Sequence, residues 1–583
     1  MDGIRKSHRQ HEGERRVQAR RHAPPDLHEM VGRVVDDEIS RERFAYYRRL
    51  AYLPLGVSDA AGRLWATVLS APEISAPDRE RLRVTARVHP DDPFVRAVCS
   101  PVDGARAFAA VAIDFASRSR VKIAGNVEAA TLDGQTLTLV LRTNEHMGNC
   151  PKYITARELR PLRRTAHTTA LGQALSPAAL ELLGQASTVF VATRHSDRDP
   201  RESDMGFNHR GGPRGFVRYF EDAQGSHLVL PDYSGNRFYQ SLGNVETDPV
   251  MGIAALDFTT GAMLQVSGRA RNLFDEEASR VMPGATLITV VSIDEAFLTA
   301  GALDLELASE EQLSPYNPRR RLLASEAPGD ERPFLATATL VDVTKESSHV
   351  STFTFSLPTE ADLVPGGHAI FDFSAHVGRS YQHMNDRDPQ SLNDDLVRSF
   401  TVSKVSPDRR RISITVKKAG VVSSFLHSLA GRPGDEPVEV QLKGFGGTFT
   451  CFDDGRPIPR ILWVAGGVGI TPFLAMYRAL RDAGGPMPDI QLLYACRRDE
   501  VALIREMTDI DVTIFDTRSP VERAPVGRRS YHRRRLRASD LDDPSRHDRT
   551  VFVCGPAGFM ADVRSWLDGR VDPAQLRFES FDF

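Results

Sequence analysis

The sequence predicts a multidomain, β-rich chain: two antiparallel barrels, a third antiparallel barrel, and a closing doubly wound parallel α/β domain. Three observations carry this. Between Arg43 and Arg163, and again after the helical segment "SPAALELLGQAS", short alternating strands are separated by polar turns such as Asp59 to Gly62 and Asp133-Gly134. The stretches "VAIDFASRSRVKIAGNVE" and "AALDFTTGAMLQVSGRAR" share one order of apolar strand, Asp-Phe, turn, strand and glycine, so the first half reads as a duplicated barrel. After Pro459 the texture changes to apolar strand, glycine turn, helix ("TPFLAMYRALRDAGG"), strand ("DIQLLYACR"), helix ("ALIREM"), strand ("DVTIFDT") and "TVFVCGPAGFMADVRSWL", the alternation of a parallel sheet.

The 583 residues call for several cores, roughly four by length alone. The segments fall as a disordered tail at 1–10, a first barrel at 11–168, a second at 169–310, a Pro- and Arg-rich linker at 311–332, a third barrel at 333–455 and the α/β domain at 456–583. Within the amino end, Glu12 to Arg21 reads as a short solvated helix stopped by Pro24 and Pro25. A formal charge of -3 gives no global attraction to nucleic acid or anionic membrane. No run approaches the ~20 apolar residues of a membrane span and no secretory signal opens the chain, so a cytoplasmic protein is expected. Cys99, Cys150, Cys451, Cys496 and Cys554 form no C-x-x-C pair, which argues against a zinc site, a redox dithiol or a plant-type iron-sulfur cluster; no metal is expected.

The chemistry concentrates at four places in the carboxyl-terminal half. "ILWVAGGVGITPF" runs a buried strand into Gly466, Gly467, Gly469 and Thr471, a turn whose backbone N–H groups and helix start suit a diphosphate. "VFVCGP" ends a second buried strand in Cys554, Gly555 and Pro556, at the edge where open sheets bind ligands. "VRSFTVSKV" places Arg398, Phe400 and Thr401 on one strand, with Ser399 turned the other way; an arginine can neutralise a diphosphate while an aromatic lies along a flat ring. "KKAGVVSSFLH" then opens a helix with Gly420, Val421, Val422 and Ser423.

This order of motifs resembles the ferredoxin-NADP reductase superfamily over Pro333 to Phe583. The resemblance implies an FAD-binding barrel followed by an NAD(P)-binding domain. Arg398 would bind the flavin diphosphate, with Ser399 beside it; Phe400 would pack on the flavin and Thr401 would hydrogen-bond near its reactive edge. Gly420 to Ser423 would hold the FAD diphosphate, the Gly466 loop would face the nicotinamide dinucleotide, and Cys554 to Pro556 would lie near the nicotinamide. The ending "FESFDF" supplies Glu579 and Phe581 as candidates beside the flavin. Thr401, Cys554 and Glu579 form the expected catalytic set. Arg497 and Arg498 follow the second parallel strand, where a cation could meet the extra phosphate of NADPH; exposed arginines are also ordinary there, so the coenzyme stays open.

In the first half, "SDMGFNHRGGPRGFVRYF" offers Asn208, His209 and Arg210, and "YSGNRFYQSLGNVETDP" offers Asn236, Arg237, Ser241 and Asn244, donors fit for a phosphate or a flavin edge or for an ordinary polar surface. With the Asp-Phe strand and "SGRAR", these segments resemble the pyridoxamine 5'-phosphate oxidase-like split-barrel family over His11 to Ala308. The resemblance implies FMN at an interface between two barrels and homodimeric pairing, and leaves open FMN, haem or no ligand. Cys150, in "GNCPKYI", reads equally as buried or reactive. The expected activity is transfer of hydride from NAD(P)H to FAD and of electrons to an acceptor at the split-barrel half. The alternative is delivery to a separate iron-sulfur or haem protein, with the barrels as a dimerisation or sensing module. The polar segment "HVGRSYQHMNDRDPQSLNDDLV" has no assigned role.

Overall fold

A computed structural model describes residues 10–23, 35–102, 104–148, 151–197, 203–326, 335–378, 382–430, 437–516, 528–543, 546 and 548–580. Pro24, Pro25, Cys150, Phe581 and nearly all of the predicted tail lie outside them. The chain divides into two compact units, 1–327 with 381–394, and 328–380 with 395–583.

The first unit holds two eight-stranded antiparallel sheets. The first contains β1 (Val35–Asp36), β2 (Tyr52–Ser58), β3 (Leu64–Ser70), β4 (Glu73–Ser75), β5 (Arg81–Arg87), β6 (Arg106–Asp114), β7 (Ser119–Asp133) and β8 (Thr136–Gly148). The second contains β9 (His167–Gly172), β10 (Thr188–His195), β11 (Asp204–Gly211), β12 (Arg218–Asp222), β13 (Gly225–Pro231), β14 (Val250–Asp257), β15 (Ala262–Phe274) and β16 (Leu287–Ala300). Their orders are β3-β2-β6-β7-β8-β5-β4 with β1 on β8, and β11-β10-β14-β15-β16-β13-β12 with β9 on β16. Each strand of the second sheet thus takes the place of the strand eight earlier. Helices repeat too: α2 (Arg41–Tyr47) and α4 (Pro177–Gln185) precede β2 and β10, while α3 (Pro93–Cys99) and α5 (Gln240–Thr247) precede β6 and β14. One apolar layer joins the repeats, with Leu64, Val111 and Phe115 of the first packed among Phe190, Phe207 and Leu256 of the second. Close approach is built in at Gly56, where a Cβ would stand 3.0 Å from that of Ala192.

Two expectations change here, and a segment without an assigned role finds its place. The amino-terminal helix, α1 (Glu12–Arg20), is docked rather than solvated: Val17 is buried with Leu242, Phe274 and Leu287, and α1 packs on α5 of the second repeat. Gly13 meets the Gly243 carbonyl and Gly243 meets the Glu14 backbone, so two glycines let the helix backbones touch. The stretch expected as linker packs on the first unit, burying Tyr316 and Leu323. The middle of the unassigned polar segment also joins this unit: Gln390 donates to the Pro315 and Asn317 carbonyls at 2.7 and 3.0 Å, and Asn393 Nδ2 donates to the Tyr153 hydroxyl at 2.9 Å.

The second unit begins with a closed barrel of β17 (Ala336–Lys345), β18 (Val350–Ser356), β19 (His368–Asp372), β20 (Val397–Val405), β21 (Arg411–Lys417) and β22 (Glu439–Gly446), ordered β17-β18-β21-β20-β19-β22. α6 (Val421–Ser428) follows β21. A six-stranded sheet comes next, with β23 (Arg460–Gly466), β24 (Asp489–Ala495), β25 (Asp511–Phe515), β26 (Arg529–His532), β27 (Thr550–Gly555) and β28 (Leu576–Ser580). Every pairing is parallel and the order is β26-β25-β24-β23-β27-β28, so the winding reverses between β23 and β27. α7 (Thr471–Asp482) and α8 (Ala557–Leu567) leave those two strands. "ALIREM" forms no α-helix; the chain makes a 3-10 turn over Arg498–Ile504.

Gly243→Ala tests the docking of α1. Alanine favours a helix interior by about 1 kcal/mol, yet its Cβ would stand 2.5 Å from the Glu14 nitrogen. A net loss of about 1–3 kcal/mol is expected from the overpacking, read as a lower Tm with faster proteolysis before residue 23; an unchanged Tm contradicts the docking.

Candidate functional site

In the second unit, the strand order reverses at the glycine loop. Gly466, Gly469 and Gly555 are small for packing: a Cβ on Gly466 would stand 3.0 Å from Phe559, one on Gly469 would strike the Cys554 backbone, and one on Gly555 would stand 2.6 Å from Phe559. Gly467 differs. Its φ is +54°, in the left-handed region, and a Cβ there would stand 3.8 Å from Glu500 Oε2 and 4.0 Å from Lys417 Nζ, so the loop presents backbone to an open side. Lys417 donates to Glu500 Oε1 at 3.1 Å, and Glu500 Oε2 accepts from the Arg497 amide at 3.0 Å. Thr471 is buried, and its hydroxyl donates to the Val468 carbonyl at 3.0 Å, tying the loop together. Pro556 sits at the N-cap of α8.

On the barrel, Arg398 and Phe400 share one face of β20 by strand alternation and Ser399 and Thr401 the other. Arg398 lies 4.0 Å from Asp395, and Phe400 packs edge-on against Phe373. Gly420 caps α6 with nothing within 4 Å of a Cβ, and Ser423 Oγ accepts the Ala419 and Gly420 amides at 2.8 Å each. Val421 is 49% exposed while Val422 is buried in the barrel core. Of this pair, only Val421 has side-chain surface at the helix start; Val422 can offer its backbone.

Strand pairing gathers the expected catalytic set. Thr401 pairs with His368 across β20 and β19, and Cys554 pairs with Glu579 across β27 and β28. His368 Nδ1 is 4.0 Å from Glu579 Oε1, which brings the two pairs together. Burial raises the Glu579 carboxyl and lowers the His368 imidazole, so both favour their neutral forms. The Cys554 thiol is fully buried and pushed well up, by burial first and then by Glu579. His368 escaped the sequence reading because "GGHAIFDFS" shows only strand periodicity; its register opposite Thr401 is a tertiary fact.

In the first unit, a cleft of about 1290 Å³, open mouth included, is lined by Asn208, Arg210, Asn236, Arg237 and Ser241. Arg210 donates to Asp232 Oδ1 at 2.6 Å, Asn208 to Ser241 Oγ, and Asn236 Oδ1 accepts the Phe238 amide at 3.1 Å. Asn244 corrects the expectation: it lies fully buried behind the cleft, donating to Thr193 Oγ1 at 3.1 Å and accepting from His11 Nε2 at 2.8 Å. The residues missed are Arg120 and Lys122, which line the same cleft. Their alternation in "SRSRVKIAG" was the available signal. Arg120 donates to His209 Nδ1 at 3.2 Å, and Lys122 Nζ to Gln240 Oε1 at 3.0 Å. Burial first, then Arg120 and Arg210, lower the Lys122 ammonium to about 7, partly offset by Asp204 and Glu14.

The second unit defines a class: an antiparallel barrel with a parallel sheet whose glycine loop lies at the switch point, the arrangement of a dinucleotide-binding module. Residues 463–565 match the family described as Oxidoreductase NAD-binding domain. Over 192 residues the chain is 32% identical to a flavohemoprotein of Deinococcus radiodurans, covering 31% of this chain and 45% of that protein. It is 28% identical over 197 residues to a glycine betaine monooxygenase reductase subunit of Pseudomonas aeruginosa, covering 32% and 51%. The chain thus spans about half the length of these curated relatives. Among solved structures, the flavohem-like FAD/NAD-binding domain of a Vibrio cholerae nitric oxide dioxygenase aligns at 22% identity over 42% of this chain and 99% of that one, with a TM-score of 0.32.

The depressed Lys122 ammonium has a stability consequence. Between pH 10.5 and 7 the unfolded chain binds a proton that the folded chain refuses, so stability falls as pH drops through this window and levels off below it. Lys122→Met is therefore expected to stabilise more at pH 6 than at pH 10 in denaturant titrations. An equal effect at both pH values contradicts the shift.

Proposed function

We propose that the chain is an NAD(P)H-dependent flavoprotein oxidoreductase that passes electrons from FAD in its second unit to an acceptor, FMN or a small substrate, at the cleft of its first. The observation that carries the reading is the left-handed, open-sided Gly467 loop at the β23–β27 switch point, inside the span that matches the oxidoreductase NAD-binding family. The coenzyme and FAD together supply hydride acceptance and electron release. The residues present fit both groups. The unfilled Gly420 position and the Ser423-braced start of α6 suit a diphosphate. Arg398 supplies positive charge to it, and Phe400 an aromatic face along the flavin. Gly467 offers backbone N–H groups to the dinucleotide, with Lys417 close by.

Thr401, His368, Glu579 and Cys554 have the roles of orienting and proton-holding groups. Their partial burial shifts the carboxyl up and the imidazole down, each toward its neutral form. Arg497 is half-buried and held at its amide by Glu500, whereas Arg498 is exposed; both coenzymes are to be assayed.

A second reading has support in the relatives named as reductase subunits: electrons would leave to a separate oxygenase or haem protein, with the first unit as a docking or dimerisation module. Anaerobic reduction separates the two. With NADH and NADPH in turn, one coenzyme is expected to bleach bound FAD and then any flavin of the first unit; absence of bleaching by either sinks the main reading. Arg398→Ala is expected to lose FAD. Gly467→Val is expected to keep FAD but slow reduction at least about tenfold, since a β-branched residue is strained at this φ; normal reduction misplaces the dinucleotide.

A further inference from the structure

The amino-terminal helix docks through a pair of histidines. His11 is the N-cap of α1: its Nδ1 accepts the Gly13 amide at 3.1 Å, and its own amide donates to Glu14 Oε2 at 3.0 Å. Its ring lies flat on that of His195, the last residue of β10, with centroids 4.1 Å apart and planes 6° from parallel. His11 Nε2 donates to Asn244 Oδ1 at 2.8 Å, because the Asn244 amide nitrogen is committed to Thr193 Oγ1 at 3.1 Å. His195 Nδ1 stands 2.8 Å from Thr247 Oγ1, whose hydroxyl donates to the Asn244 carbonyl at 3.1 Å. These contacts leave His11 one ring proton, on Nε2. Its Nδ1 must stay bare to accept the helix amide.

The same helix holds one wall of the cleft. Glu14 reaches the lining, and Gln18 Nε2 donates to the Phe238 carbonyl at 3.1 Å. Phe238 lies between Arg237 and Tyr239, whose φ values of +64° and +57° are left-handed, a conformation that non-glycine residues keep only where their surroundings hold it. All three line the cleft. A second proton on His11 would remove the cap acceptor, aim one N–H at another and set a cation at the positive end of a helix. Of the groups that face His11, Glu14 on α1, 3.8 Å from Nε2, and Asp204 on β11 favour a charged ring, whereas His195 on β10 opposes it; Asn244 on α5 is neutral. Asp197 lies 4.0 Å from His195 Nε2, and Lys122 of β7 interacts with both Glu14 and Asp204. Burial outweighs the carboxylates, and His11 favours its neutral form.

We propose that α1 is an acid-released latch on the cleft wall: it docks while His11 is neutral, and a proton on His11 Nδ1 frees α1 and, with it, residues 232–239. The released helix takes up a proton that the docked helix refuses. Docking is therefore complete above the ordinary imidazole value of 6.5 and declines as pH falls through it. Lys122 changes its charge between 10.5 and about 7, so the two effects separate by pH. The latch governs the wall of the cleft and stands apart from the identity of the electron acceptor.

The test is hydrogen exchange of the FAD-saturated full chain, read by mass spectrometry at pH 7 and pH 5 with labelling times scaled to the intrinsic exchange rate. At pH 5 the wild type is expected to lose at least about threefold of its protection in α1 and in residues 232–239, while α3 of the first repeat stays protected. His11→Asn keeps a cap acceptor that takes up no proton, and equal protection at both pH values is expected of it. Equal protection of the wild type at both values overturns the proposal. So does an equal acid loss in His11→Asn, a loss that α3 shares, or a loss in α1 that residues 232–239 do not follow. Should His11→Asn leave α1 unprotected at every pH, His195→Gln decides, because it removes the ring that opposes the charge on His11. A smaller acid loss than in the wild type is then expected, and an undiminished loss overturns the proposal.

Discussion

The first unit depends on one shared apolar layer. Side chains of two sheets that neither repeat could cover alone interleave there, and the glycines at its tightest points, Gly56 against Ala192 and Gly252 against the Leu64 backbone, set how closely the sheets approach. Burial of that layer fixes the register of both repeats, because a one-residue slip would turn every apolar side chain outward. Once the registers are fixed, the polar ends of the layer are fixed as well. One is closed by Asp92, Thr67 and Gln265; the other is left with Asn208, Arg120 and Lys122 facing a cleft.

In the second unit the constraint is close packing at a strand reversal. The glycine loop contains residues with unlike causes: Gly466 and Gly469 stay small because β27 and Phe559 press on them, whereas Gly467 is needed for its backbone conformation and faces an open side. The same strands carry Cys554 and Glu579 toward His368 and Thr401 of the barrel, so the candidate reactive groups come from four strands distant in sequence. Burial shifts the Glu579 carboxyl and the His368 imidazole toward their neutral forms, which no local sequence context could have specified.

Periodicity made the architecture legible. Alternation marked most strands, the repeated Asp-Phe turn revealed the duplication, and apolar runs ending in glycine marked β23 and β27. It failed where a residue's partner decides its environment. Glu12 to Arg20 is polar enough to read as solvated, yet one glycine contact and Val17 dock it on α5. Tyr316 and Leu323 sit in a Pro- and Arg-rich stretch that looks like a linker, but both are buried. Asn244 looked like a ligand donor because of its neighbours in "YQSLGN"; on α5 it faces inward, toward Thr193 and His11.

The sequence by itself determined most strands, the repeat and the glycine turns that end β23 and β27, since these follow from local alternation, turn chemistry and glycine conformations. Only the tertiary structure decided which end of the shared layer stays open and which residues gather at it. Arg120 and Lys122 read as two charges on a strand until the second repeat is packed against them, and Gln265 reads as an ordinary strand residue until Asp92 is beside it. The physical reason is that burial and electrostatic environment arise between segments far apart in the chain, and only folding brings those segments together.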